Sequence, residues 1–254
     1  HQVNPLFSKH TTLFIGPPQG AKSLTAIYLS VCTAGNKDFM GYLTRPGYVV
    51  YLSNEHGAEE LLNRWVKKFS LGMELNPSDL ALTSMAYKYR DFTNPTLTKN
   101  LLSECQELGA VLIVVDNVGS SIGGQNENYT NTMQRVFDNF LMFTEVGIAV
   151  TGIHHPNKNG VTRGSTVIDA MADCIYNFER VSTRPRASIL SNGEPFVEEV
   201  IEYYAMRNPK MSQGGQVPPF LVRVLENDET GAAKLINAGP YVPSSPYKEL
   251  KNLI

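Results

Sequence analysis

Three scarcities bound what this chain can be. Cysteine is rare: Cys32, Cys105 and Cys174 are the only three in 254 residues. They lie far apart, each in or near an apolar segment, with no metal-binding spacing between them. An odd, scattered set excludes a disulfide framework and a structural zinc site, and predicts reduced thiols in a cytosol-like compartment. Charge of one sign is also lacking, with 22 Lys and Arg against 24 Asp and Glu and a formal net charge of −2. Without a global basic field, any contact with nucleic acid must come from a local patch. Long apolar runs are missing too. No run is long enough to span a membrane and no signal peptide is visible, so the expected location is cytoplasmic, with no membrane partner. There is no internal repeat and no low-complexity segment. The chain opens on His1 rather than Met, which reads as a fragment or a processed chain.

What is present suits one sizeable α/β domain over residues 1–254, with 42% hydrophobic and 18% charged residues. The most informative stretch is Gly16-Pro17-Pro18-Gln19-Gly20-Ala21-Lys22-Ser23. It follows a short apolar strand, Thr12 to Ile15, and precedes a helix beginning near Leu24. Strand, glycine-bearing turn, Lys-Ser and helix is the context of a phosphate-binding P-loop. The turn aims backbone N–H groups at phosphate oxygens, and the new helix adds its positive end. Lys22 would reach the β- and γ-phosphates, and Ser23 would ligate Mg²⁺. Ala21 stands where a second glycine is expected, so its methyl should crowd the approach to phosphate.

Read onward, strand and helix alternate. Gly47 to Ser53 is β-branched and aromatic, and it ends at Asn54-Glu55-His56-Gly57. Ala58 to Phe69 has helical spacing, with Leu61, Leu62, Trp65, Val66 and Phe69 on one side. Leu80 to Thr83 reads as a third strand and Leu97 to Leu108 as a helix ended by Gly109. Ala110 to Val115 is a continuous apolar run closed by Asp116, the pattern of a parallel strand buried on both faces. A polar loop, Ser120 to Asn131, leads to a helix over Thr132 to Thr144. Another buried strand, Gly147 to Ile153, ends at His154-His155. Beyond it, Val197 to Met206, Phe220 to Glu226 and Lys234 to Ile236 read as alternating strands, with Asn208 to Gln216 as a hairpin tip. The predicted fold is a mainly parallel sheet flanked by helices, with a C-terminal antiparallel extension.

Ligands of open parallel sheets bind beyond the carboxyl ends of strands. Lys22, Glu55, Asp116 and His155 all fall at such ends, and that convergence carries more than any one of them. Asp116, after Val111 to Val115, has the Walker B arrangement and would hold Mg²⁺ opposite Ser23; a helix N-cap is its structural alternative. Glu55 is placed to deprotonate an attacking water, or else to favour a helix start. His155 would sense the γ-phosphate, with His154 competing for the role. Two polar loops follow strand ends, Asn117 to Tyr129 and Pro156 to Gly164. Lys158 and Arg163 in the second could track a phosphate backbone; plain solvated loops are the equal alternative.

In this order, the pieces resemble the RecA-like ATPases, and among them the hexameric replicative helicases of DnaB and RepA type. The resemblance runs from the P-loop through Tyr48 to Glu55, Leu112 to Asp116, His154-His155-Pro156-Asn157-Lys158, Arg163-Gly164-Ser165 and Ala172 to Tyr176, ending at Met206-Arg207-Asn208-Pro209. It implies a RecA-like P-loop NTPase fold, with nucleotide contacts from Gly16, Pro17, Pro18, Gln19, Gly20, Ala21, Lys22, Ser23 and Leu24. It also implies that Arg64 stacks on adenine, and that Arg207 is an arginine finger reaching a neighbouring subunit's γ-phosphate. ATP and Mg²⁺ would be the cofactors. Single-stranded DNA, copies of the chain in a ring, expected as a hexamer, and replication or recombination proteins would be the partners. The lysine common two residues before the finger in DnaB-type proteins is Ala205 here, and the ring-closing N-terminal element is missing or removed. Filament-forming recombinases, recombination mediators and a protein-binding nucleotide switch are the alternatives. A small-molecule kinase is disfavoured because no lid-like arginine cluster is apparent.

Overall fold

The computed structural model describes residues 10–53, 58–84, 91–126, 129–156, 165–182, 187–189, 195–197, 202–211 and 217–241. Its centre is a nine-stranded sheet. The parallel part is built from β1 (Thr11–Ile15), β2 (Tyr48–Ser53), β3 (Leu82–Ser84), β4 (Ala110–Asp116), β5 (Ala149–His154) and β6 (Cys174–Ser182). An antiparallel part follows, with β9 (Glu202–Met211), β10 (Phe220–Glu226) and β11 (Ala233–Pro240). The strand order is β11-β10-β9-β6-β1-β5-β4-β2-β3, and β7 (Ala187–Ile189) pairs with β8 (Pro195–Val197) in a separate ribbon. The expected mixed architecture is therefore present, with β5 standing between the P-loop strand β1 and the aspartate-bearing strand β4.

Helices cover both faces of the parallel part, which explains the near-continuous apolar strands. One layer holds α1 (Lys22–Ala34) and α2 (Ala58–Gly72) over Phe14, Tyr51, Val114, Ile153, Tyr176 and Phe178. The other holds α3 (Pro95–Glu107), α4 (Thr130–Glu145) and α5 (Ser165–Met171) over Leu13, Leu52, Ile113, Val115, Val150 and Ile175. Each strand thus divides by alternation, odd positions of β2 to one layer and even positions to the other. Fully burying one such aliphatic side chain is worth about 1.5–3 kcal/mol, so these two layers dominate the stability of the sheet. α3 begins with Asn94 capping the N–H groups of Thr96 and Leu97, and Pro95 occupies the first turn.

Four features differ from the sequence expectation. β6 and α5 went unread, because Asn177, Glu179 and Arg180 make the second half of β6 polar where helices cover only one face. β9 begins at Glu202 rather than Val197 and runs to Met211, so Asn208 to Met211 is strand, not the start of a hairpin tip; residues 212–216 lie outside the described ones. The register between β6 and β9 slips so that Asn208 and Pro209 oppose Tyr176 alone. Proline is tolerated there because a bulge needs no ladder donor. Asn208 is buried, and its amide donates to the carbonyls of Ile175 (2.9 Å) and Lys210 (2.9 Å). Finally, the loop after β4 is half built into the core: Val118, Ser121 and Ile122 are buried and a short 3₁₀ turn spans Gly119–Ser121, while Ser120, residues 123–126 and Tyr129 are exposed.

All three cysteines are buried free thiols. Desolvation by burial pushes Cys105 up to about 12 and Cys174 up to about 11, and raises Cys32 further still. Native protein should therefore be inert to Ellman's reagent at pH 8, with all three thiols reacting on denaturation. The linkage has a definite sign. An unfolded thiol ionises near 9 while the folded one keeps its proton, so the unfolded state binds fewer protons and stability falls as pH rises past 9. Fast labelling of a cysteine in folded protein would contradict this burial.

Candidate nucleotide site

The site is assembled where β1, β4 and β5 end. Gly16 follows β1 directly, and a side chain there would run into the backbone of β6: an added Cβ would lie 2.6 Å from the Phe178 carbonyl oxygen. Only glycine lets the loop turn this close to the sheet. Pro17, Pro18 and Gln19 are exposed, while Gly20 is buried and donates its N–H to the Pro17 carbonyl (3.2 Å). Gln19 (φ 60°) and Ala21 (φ 61°) adopt left-handed backbone on either side of Gly20. Such turns make successive N–H groups converge into an anion-binding concavity. Ala21, where a second glycine is expected, thus stands in left-handed backbone.

α1 starts at Lys22 with no side-chain cap at Ala21 and no acidic residue in its first turn. Its N-terminal N–H groups and positive dipole end are thus left facing the loop. Lys22 is buried, and its ammonium donates to the Pro17 carbonyl at 2.6 Å, bent back over the loop. Ser23 is half-buried in the first turn. Leu24, half-buried, packs its side chain against the α1-side core.

Asp116 closes β4 and is buried, with its Oδ2 accepting the Tyr51 hydroxyl at 2.7 Å. Val114 belongs to the α1-side layer, so alternation puts Asp116 on the same face of the sheet as α1. Two strand spacings, roughly 10 Å, separate β4 from β1. His154, last in β5 and paired in register with Ile15, is buried; since Ile153 faces the α1 layer, His154 belongs to the opposite face. His155, half-buried, is the next residue beyond the strand. Lys22, Asp116 and His155 are therefore brought to one sheet edge, as the sequence implies. Glu55, Lys158 and Arg163 lie outside the described residues.

Arg64 is exposed on α2, its guanidinium 5.9 Å from the centre of the Trp65 ring. Arg207 is within β9, opposite Asn177 and hence level with Ile15 at the end of β1. Its Nη2 donates to Glu179 Oε2 (2.6 Å) and to the Tyr241 hydroxyl (3.2 Å), and the guanidinium lies 5.0 Å from the Tyr241 ring centre. Sequence reasoning missed Tyr51, Phe178, Glu179 and Tyr241. Only Tyr51 carried a signal, as a tyrosine two positions before a strand end.

The residues present fit a nucleotide with a hard divalent cation. The donor set is a hydroxyl and a carboxylate, oxygen ligands that suit Mg²⁺, which is commonly completed by phosphate and water rather than by a protein cage. Ser23 and Asp116 would hold the ion.

An uncapped helix behind a left-handed nest, a buried lysine and an aspartate ending β4, one strand beyond β5, are the parts of a P-loop nucleotide site. A family model described as an AAA domain matches residues 3–161. The chain belongs to that family, and its mostly parallel sheet accords with a RecA-like P-loop fold. No curated protein is significantly similar to the chain. Among the described residues, no helix is long and apolar enough to cross a membrane.

The left-handed alanine gives a test. Ala21→Gly relieves about 1–2 kcal/mol of backbone cost and adds about 0.5–1 kcal/mol of chain entropy to be lost on folding. The variant should denature in urea within about 1 kcal/mol of the parent and bind a fluorescent ATP analogue at least as tightly. Lost binding in a folded variant would mean that the loop follows another path.

Proposed function

We propose that the protein is a Mg²⁺-dependent, ATP-hydrolysing motor acting on single-stranded DNA, working as a ring of identical subunits in the manner of a replicative helicase. The observation that carries the ATPase core of this reading is the nest at Gln19 and Ala21 leading into Lys22, with Asp116 on the same face of the sheet. The DNA role rests on the likeness of the His154 to Lys158 and Arg163 to Ser165 elements to those of RepA-type helicases.

In this proposal the work is positioning and charge neutralisation. Backbone N–H groups of residues 19–23 and the Lys22 ammonium orient and neutralise the phosphates. Ser23 and Asp116 hold magnesium, which when bound offsets charge on the phosphoryl oxygens. Glu55 accepts the proton of the attacking water, and His155 reads the presence of the γ-phosphate. Arg207 serves the neighbouring subunit's site, its place level with the end of β1 supporting that role. To do so it must exchange Glu179 for phosphate. That exchange is cheap to make, because exposed ion pairs are worth only about 0–1 kcal/mol. Lys158 and Arg163 contact the DNA backbone, and Arg64 stacks on the adenine of the bound ATP.

A nucleotide-dependent switch that binds a protein is the second reading, and the near-neutral net charge of −2 is compatible with it. Turnover with and without single-stranded DNA separates the two. A motor's rate should rise several-fold with DNA, the rise shrinking with added salt as counterion release weakens. Arg207→Ala should bind nucleotide normally yet lose about 10³-fold in stimulated turnover. A rate indifferent to DNA would support the switch, and full turnover in Arg207→Ala would remove that arginine from the mechanism.

A further inference from the structure

Tyr51 is among the largest fully buried side chains of the fold, with its ring in the α1-side core. Tyrosine at such a depth is unusual unless its hydroxyl has a partner, because an unbonded buried hydroxyl is costly. Here the partner is Oδ2 of Asp116, 2.7 Å away. The two residues are not directly opposite. Tyr51 pairs in register with Val114 and Ser53 with Asp116, so the ring leans along the sheet to the residue two further on. That diagonal is a reach which tyrosine makes and phenylalanine does not. Ser53, beside Asp116 in this register, is itself buried, and its hydroxyl has no hydrogen-bond partner among the described residues.

We infer that Tyr51 is a positioning residue for the metal site: its hydroxyl fixes the Asp116 carboxylate so that the cation meets a preorganised oxygen ligand. The inference rests on Asp116 being the metal carboxylate. An aspartate carboxylate is placed by two side-chain torsions. A hydrogen bond from the Tyr51 hydroxyl to one of its oxygens helps to hold those torsions. Partners that orient metal ligands in this way commonly matter by 10–100-fold in metal affinity. The ring is set by the core packing of β2, so the hydroxyl's position is inherited from the buried α1-side core. Sequence around Asp116 gives no hint of this, since the donor comes from another strand 65 residues away.

The test measures Mn²⁺ affinity by electron paramagnetic resonance on the full chain saturated with a non-hydrolysable ATP analogue. It compares the parent with Tyr51→Phe, Asp116→Asn and the double variant. Thermal unfolding without metal checks that each variant is folded, and analogue binding in EDTA isolates the nucleotide contribution. Tyr51→Phe should raise the Mn²⁺ dissociation constant about 10-fold and leave metal-free nucleotide binding unchanged. In the Asp116→Asn background the same change should do nothing further. Parent-like Mn²⁺ affinity in Tyr51→Phe, beside a weakened Asp116→Asn, would overturn the inference while sparing Asp116. So would an equal further loss in the double variant, because Tyr51 would then act through another group. Unchanged Mn²⁺ affinity in Asp116→Asn would instead overturn the metal reading of that residue, and this inference with it.

Discussion

A helix that begins without a cap must find partners for its first N–H groups elsewhere. In this protein α1 begins behind Ala21, which offers no side-chain acceptor, and its first turn holds no acidic residue. Most of the local architecture follows from that opening. Gly16 brings the loop hard against Phe178, Gly20 folds it back onto Pro17, and Gln19 and Ala21 accept left-handed backbone. Non-glycine residues in that region cost roughly 1–2 kcal/mol each, a strain that stable sheet packing can hold. The outcome is the positive end of a helix dipole at one sheet edge, with a buried lysine beside it. Such an arrangement is poised for an anion.

The sheet sets what stands opposite. β5 intervenes between β1 and β4, so the P-loop and Asp116 flank the strand that leads into His154 and His155. Alternation then assigns Asp116 to the α1 face and His154 to the far one. Helices on both faces bury β1, β4 and β5 along their length, and β4 is apolar up to Asp116 at its carboxyl end, the side on which ligands of such sheets bind. Tyr51 ties this division together, because it belongs to the core by its ring and to the site by its hydroxyl.

Much of this was legible in the sequence, for identifiable reasons. β4 stood out because double-sided burial leaves a continuous run from Ala110 to Val115 with a terminal carboxylate. The P-loop stood out because strand, glycine, Lys-Ser and helix coincide. β6 was hidden because helices leave one face of its later half open, so Tyr176 and Phe178 alternate with Asn177 and Glu179 in a chain region already rich in polar residues. The extent of β9 was obscured by Asn208-Pro209, a turn signal by composition. In the fold, Asn208 replaces ladder bonds with side-chain bonds to Ile175 and Lys210, and the bulge accommodates Pro209. The tie from Tyr51 to Asp116 could not be read at all, since it depends on the register between two strands. The same holds for Arg207, whose partners Glu179 and Tyr241 come from β6 and from just beyond β11.

The central claim is that residues 16–23 form the phosphate cradle of a magnesium-nucleotide site. Calorimetric titration of Mg²⁺-ATP into the parent and into Lys22→Ala tests it most directly. The parent should bind one nucleotide per chain, and the folded Lys22→Ala should bind it at least tenfold more weakly, having lost the buried cation that the loop holds over the phosphates. Equal affinity in the two proteins would contradict the account.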